Sequence, residues 1–233
     1  MSDGSAFLSG VVGGRTAQAL NRRRMAILLA ALVLLVLASP VAEMVSQARL
    51  VVVGATVVFL LSCLQQVDAY PRLRVLSRLI VLVWVTLNLL LPWSERTVVT
   101  GLAAAALTLL NLIVLWLVAQ RLIDADRVDA ELLCGAVGVY LLLGVFWAGT
   151  YEIIGLVAPA AFAGLGGAAP TPSGLLYFSF TTLTTTGYGD ITAVNPIVRM
   201  WSIFEAIIGS MYIATVIARL VSLYGSRVVR EDS

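Results

Sequence analysis

Six apolar runs divide the 233 residues, at about Met25–Ala42, Leu50–Val67, Val75–Leu91, Val98–Ala119, Leu132–Tyr151 and Met200–Leu223. Each is close to the roughly 20 residues that a helix needs to cross the hydrocarbon core of a bilayer. The third contains Arg78, near enough to one end for its head group to snorkel to the interface. Pro92 and Trp93 close that run, with the indole at interfacial depth. The first run follows Arg22, Arg23 and Arg24, as a secretory leader would. It is longer than a leader's apolar core and further runs follow, so it reads as a retained helix. A further apolar, aromatic-rich run, Gly174–Leu183, is too short to span. That length suits a half-helix that enters and leaves on one side.

The polar positions between the runs orient them. Arg15, Arg22, Arg23 and Arg24 precede the first run, and Arg72, Arg74 and Arg78 cluster between the second and third. Arg121 and Arg127 separate the fourth and fifth, and Arg227 and Arg230 follow the sixth. The alternate loops hold only Arg49, Arg96 and Arg199. Basic residues accumulate on the cytoplasmic side, so six crossings with both termini cytoplasmic are expected. The short run then enters from outside. Gly155–Pro172, rich in Gly, Ala and Pro, reads as an extracellular loop ahead of it.

Composition sharpens this picture. Hydrophobic residues make up 60% and charged ones 12%, with a mean hydropathy of +0.98. A soluble domain carries about twice that charged fraction. The chain reads as an all-α, multi-pass membrane protein with little mass outside the bilayer. It has no His and no Lys, and its two cysteines, Cys63 and Cys134, lie in apolar runs as packing residues. Zinc, haem and thiol–imidazole chemistry are excluded on that inventory. No nucleophile–base or metal constellation suggests an enzyme, no cofactor is expected, and no nucleic-acid partner is indicated.

Candidate chemistry concentrates in Thr184-Thr185-Thr186-Gly187-Tyr188-Gly189-Asp190, directly after the short run. To aim successive backbone carbonyls at one axis, the chain must alternate between ordinary and left-handed conformations. Glycine enters the left-handed region freely, which accounts for Gly187 and Gly189 around one larger residue. This motif, with a spanning run on either side, resembles the selectivity filter of the potassium channel superfamily. The resemblance covers roughly Leu132–Tyr224 and is to the six-span prokaryotic type, with a voltage-gated-channel-like layout and a tetrameric pore.

The resemblance implies site residues. Gly174–Thr184 would be the pore helix, its C-terminal dipole end facing a dehydrated cation. The carbonyls of Thr185, Thr186, Gly187 and Tyr188 would form K⁺ sites in place of water, with Gly189 completing the loop. The Thr185 hydroxyl would add oxygens at the inner mouth. The Tyr188 ring would face away from the ions and pack on Tyr177 and Phe178. Two positions depart from the family pattern. Thr186 replaces the usual Val or Ile, adding a hydroxyl behind the filter. Thr181 replaces a Glu that in some channels pairs with the filter Asp, so Asp190 would turn to the Tyr177 hydroxyl. Glu205, an ionisable group at membrane depth, would brace the pore helix through its Ser and Thr hydroxyls. Gly209 stands where the family often has a gating hinge, and equally reads as a close-packing residue. Ala214 and Ala218 would line the inner mouth.

The domain expectation follows. Residues 1–24 form a cytoplasmic N-terminus and 25–122 a four-helix peripheral unit. Residues 123–131 form a cytoplasmic linker, which on its own also reads as a solvated loop or an interfacial helix end. Residues 132–224 form the pore domain and 225–233 a short cytoplasmic tail with no room for a sensory domain. Thr97–Gln120 holds no charge, whereas voltage-sensing relatives carry Arg or Lys at every third position there. Conventional voltage gating is therefore not expected. A single filter motif implies a homotetramer in the cell membrane, with K⁺ as permeant ion and lipid and further copies of itself as partners. It argues against a transporter with four loops in one chain. The alternative is a weakly selective or regulatory channel-like subunit.

Overall fold

The structure is a computed structural model and describes residues 23–41, 49–68, 70–90, 97–126, 128–164 and 169–231. Among the expectations above, those on Arg15, Arg22, Pro92, Trp93, Arg96, Arg127 and the middle of the Gly155–Pro172 loop lie outside these residues. Seven α-helices are used below: α1 (Arg24–Ala38), α2 (Arg49–Val67), α3 (Pro71–Leu90), α4 (Thr97–Ile123), α5 (Ala130–Val157), α6 (Pro172–Leu183) and α7 (Pro196–Glu231).

Among the described residues, three stretches are long and apolar enough to cross a membrane, Val98–Ile123, Ala130–Val157 and Pro196–Ser222. Arg24–Ala38 and Val51–Val67 are apolar but shorter, and α3 carries Arg72, Arg74 and Arg78. The first helix stops short of the expected Ala42. Pro40 follows its end, and a proline ring removes an N–H and clashes with the preceding turn. In contrast, α5 extends past Tyr151, because Glu152 interrupts the apolar run without interrupting the helix.

The central element is α5, against which α1, α4 and α6 pack. Asp129 caps it, its carboxylate accepting from the Leu132 N–H at 2.8 Å. One apolar core joins α1, α2, α4 and α5 through Leu28, Leu32, Phe59, Cys63, Leu110, Val114 and Leu142. A second surrounds α6, built from Trp147, Tyr151, Phe162, Leu175, Phe178, Leu183 and Val198. Cys63 and Cys134 are free thiols.

A two-stranded antiparallel ladder, unforeseen in the sequence, ties the loop before α6 to the loop after it. Strand β1 (Phe162–Ala163) pairs with β2 (Thr192–Ala193), Phe162 opposite Ala193. The Ala161 carbonyl also accepts from the N–H groups of Val194 and Asn195. The charged segment between α4 and α5 is held from several sides. Glu131 Oε2 accepts from the Met25 N–H at 3.0 Å. Arg219 of α7 donates to the carbonyls of Leu122 at 3.0 Å, Ile123, and Ala125 at 3.0 Å.

Candidate functional site

The short helix α6 begins two residues earlier than expected, at Pro172, and ends at Leu183 rather than Thr184. Thr171 is its N-cap, Oγ1 accepting from the Gly174 N–H at 3.1 Å, and Pro172 occupies the first turn, where its missing N–H costs nothing. Twelve residues rise about 18 Å, well under the roughly 30 Å of a bilayer core.

Directly after α6 the backbone alternates. Thr185, Gly187 and Gly189 have φ of 59°, 52° and 82°, with residues of ordinary φ between them. The glycines need no account beyond their missing Cβ. Thr185 does, because a β-branched residue with positive φ is strained by about 1–2 kcal/mol. Two backbone bonds fold this segment against the last turn of α6: Thr185 N–H to the Thr182 carbonyl at 2.9 Å, and Gly187 N–H to the Thr181 carbonyl at 3.0 Å. Sequence reasoning missed the left-handed Thr185, since threonine gives no conformational signal for it.

Side chains pack behind this ribbon. The Thr184 hydroxyl donates to the Phe180 carbonyl at 2.7 Å and lies 2.9 Å from the Thr186 hydroxyl. The hydroxyl that Thr186 adds is thus bonded within its own chain. The Thr181 hydroxyl turns back to the Phe178 carbonyl at 3.0 Å. Tyr188 stacks on Tyr177, centroids 6.3 Å apart and planes 4° from parallel. The Tyr177 hydroxyl neighbours the Asp190 carboxylate, which also accepts from the Ile191 N–H at 3.1 Å. Phe178 departs from expectation. It packs edge-on against Tyr151 and Phe162 in the buried cluster, on a different face of α6 from Tyr177.

Glu205 is fully buried between α5, α6 and α7. The Tyr151 hydroxyl donates to its Oε2 at 2.6 Å. Ser179 Oγ lies 2.6 Å from its Oε1 and 2.8 Å from the Gly144 carbonyl. Ser179 is a hydroxyl of α6, of the kind expected; Tyr151 was missed because it lies on α5, far away in sequence. Glycines let the helices approach. A Cβ on Gly144 would meet the Phe180 ring at 2.5 Å, and one on Gly209 would overlap the Leu183 carbonyl oxygen. That carbonyl, at the C-terminal end of α6, also accepts from the Tyr140 hydroxyl at 3.3 Å. Gly209 therefore sits at a close helix approach, within an unbroken α7. Ala214 and Ala218 are exposed on α7.

Two polar clusters at the far end of the helices were also missed. Arg121 donates to the Gln66 side-chain and main-chain oxygens at 2.6 and 2.8 Å, and Gln66 Nε2 donates to the Arg24 carbonyl at 2.9 Å. The other is Arg219 on the end of α4. A lone Arg in an apolar run gives no hint of a carbonyl partner almost a hundred residues away.

No curated protein and no solved structure matches the chain. Residues 139–225, from within α5 through the filter-like loop to the later part of α7, match the family model described as Ion channel, and this all-helical membrane protein therefore has the support of an ion channel family across the region that carries its candidate site.

Proposed function

We propose that four copies of this chain form a potassium-selective pore in the cell membrane and pass K⁺ down its gradient without catalysis. One observation carries the reading. Positive φ recurs at every second residue of Thr185–Gly189, at the C-terminal end of a helix too short to span. Such a backbone can present successive carbonyls to one axis, and carbonyl rings replace the hydration shell of a K⁺ ion. The carbonyls of Thr185, Thr186, Gly187 and Tyr188 are the ion sites in this reading.

Other features agree with it. The negative end of the α6 dipole lies where a dehydrated cation would be stabilised. The apolar residues Met200, Met211 and Ile217 on α7 are 64%, 60% and 57% exposed in the single chain, a surface suited to lipid and to neighbouring copies. Residues 25–122 then form a peripheral four-helix unit and 132–224 the pore unit. Asp190, Tyr177, Thr181 and Glu205 support the filter, and Ala214 and Ala218 face the inner mouth. The arginine distribution favours cytoplasmic termini.

The test is flux into liposomes that hold the purified protein. K⁺ and Rb⁺ should enter far faster than Na⁺, with block by external Ba²⁺. Equal Na⁺ and K⁺ permeability in bi-ionic potentials overturns the reading and favours a weakly selective subunit.

A further inference from the structure

We propose that the end of the four-helix unit where α2 gives way to α3 holds the phosphate head group of an anionic phospholipid. The starts of α1 and α3 and the ends of α2 and α4 meet there. Gln66 ties them together. It is fully buried, and its Nε2 donates to the Arg24 carbonyl at 2.9 Å. Its side-chain and main-chain oxygens accept from the Arg121 guanidinium at 2.6 and 2.8 Å.

Arg121 is thereby held in one orientation while its charge stays uncompensated. The charged or titratable groups near enough to act on it are Arg24 and the Tyr70 hydroxyl, with no carboxylate among them. Tyr70 leads directly into α3. Its N–H donates to the Val67 carbonyl at 2.9 Å, and its carbonyl accepts from the Arg74 N–H at 2.9 Å. Arg72 and Arg74 therefore stand within one turn of Tyr70. None of Arg24, Arg72, Arg74 and Arg121 forms an ion pair among the described residues. Carboxylates of the adjoining segments are engaged elsewhere. Asp68 faces Arg78 at 3.8 Å, Asp129 caps α5 through the Leu132 N–H, and Glu131 accepts from the Met25 N–H. Like charges gathered in this way repel unless an anion joins them.

The class of anion follows from the donors. A guanidinium presents a planar fork that matches phosphate oxygens, and a buried amide that fixes one such fork saves the entropy of ordering it. That the phosphate belongs to a lipid follows from α3. Arg72 opens a face that continues at helical spacing through Val75, Leu79 and Leu82. Those three are 58%, 54% and 61% exposed. An apolar stripe that runs away from a basic end suits acyl chains beneath a head group, and a free phosphate has no need of it. Basic clusters at the ends of membrane helices recognise anionic head groups in this way. The inference does not depend on ion conduction.

The test is native mass spectrometry of the full chain in a neutral detergent, titrated with dioleoyl phosphatidylglycerol and, separately, dioleoyl phosphatidylcholine. Saturable phosphatidylglycerol adducts are expected, with phosphatidylcholine much weaker. Arg74→Gln should weaken phosphatidylglycerol about tenfold through loss of a charge-assisted bond. Arg78→Gln removes the same charge from the same helix, but at the residue that faces Asp68, and should stay within about twofold. Arg121→Gln should weaken the lipid about tenfold or more. It also takes a partner from Gln66, so if it does not fold, the contrast between Arg74→Gln and Arg78→Gln decides. Glycerol 3-phosphate, added at the same concentration as the lipid, should not displace it. Displacement assigns the site to a free phosphate and overturns the lipid. Equal binding of the two lipids, or equal weakening by Arg74→Gln and Arg78→Gln, reduces the site to general charge attraction and overturns it too.

Discussion

Replacing Glu205 tests how α6 is held. Its carboxyl joins α5 to α6 through contacts of 2.6 Å to Tyr151 and 2.6 Å to Ser179, and all three side chains are fully buried. Glu205→Ala strips the Tyr151 hydroxyl of its 2.6 Å acceptor and leaves it only Ser202 nearby, while Ser179 keeps the Gly144 carbonyl. A stranded buried donor costs about 1–3 kcal/mol, and the void left by the shortened side chain adds to it, giving about 2–5 kcal/mol per chain. Glu205→Gln should behave differently. The contacts among Tyr151, position 205, Ser179 and Gly144 need three protons, and the two hydroxyls carry two. An amide brings its own N–H and satisfies the cluster, so its cost should stay under about 1 kcal/mol. Thermal unfolding of the detergent-solubilised protein reads both, at roughly 2–4 °C per kcal/mol for a chain of this size. Liposome flux on the same samples should show K⁺ preference retained, because the carboxyl meets Tyr151 and Ser179 and not the Thr185–Tyr188 carbonyls proposed as ion sites. The reasoning fails if Glu205→Ala melts with the wild type, or if Glu205→Gln is as damaging as Glu205→Ala.

Gly209→Ala drives a Cβ into the Leu183 carbonyl, a backbone atom that cannot swing aside, so a stability loss of about 1–3 kcal/mol is expected in the same melt; unchanged melting with altered current kinetics would restore the hinge reading. Gly187→Ala has free space around its Cβ but needs φ of +52°, so flux should be lost while size-exclusion profile and helical circular dichroism stay intact. Thr186→Val removes the 2.9 Å contact with Thr184 and should change the decay of K⁺ current during a maintained step, with selectivity kept; identical decay would assign that contact no role. With no charge between Thr97 and Gln120, open probability should change little from about −100 to +100 mV, and an effective valence of several charges would refute this.

Much of this architecture is legible in the sequence because two of its determinants are local. A bilayer demands long apolar runs, and those runs mark α4, α5 and α7. A left-handed backbone demands missing Cβ atoms, and Gly187 and Gly189 announce it. The remainder depends on tertiary company. Thr185 takes a conformation that its side chain disfavours, held by a bond to Thr182 and by the folded-back ribbon. Tyr151 became a partner of Glu205 only once α5 lay beside α7. Phe178 and Tyr177 are adjacent in sequence, so on a helix they face different ways, one into the core and one onto Tyr188. The β1–β2 ladder has two residues a side, too few to leave a period in the sequence.

The grip of Arg219 on the end of α4 has a mechanical consequence. Its guanidinium spans three carbonyls, those of Leu122, Ile123 and Ala125, the first two of which are among the acceptors that the end of α4 leaves without partners of its own. The α4 end thus borrows its cap from α7. A swing of the C-terminal part of α7 away from α4 has two courses: carry the tip of α4 along as a single rigid lever, or uncap it and leave several carbonyls competing for water. The first spreads the movement into α4, which carries no charge between Thr97 and Gln120, and the second sets a threshold force below which that end of α7 stays put. Either way, a lone arginine makes α4 a load on the motion of α7.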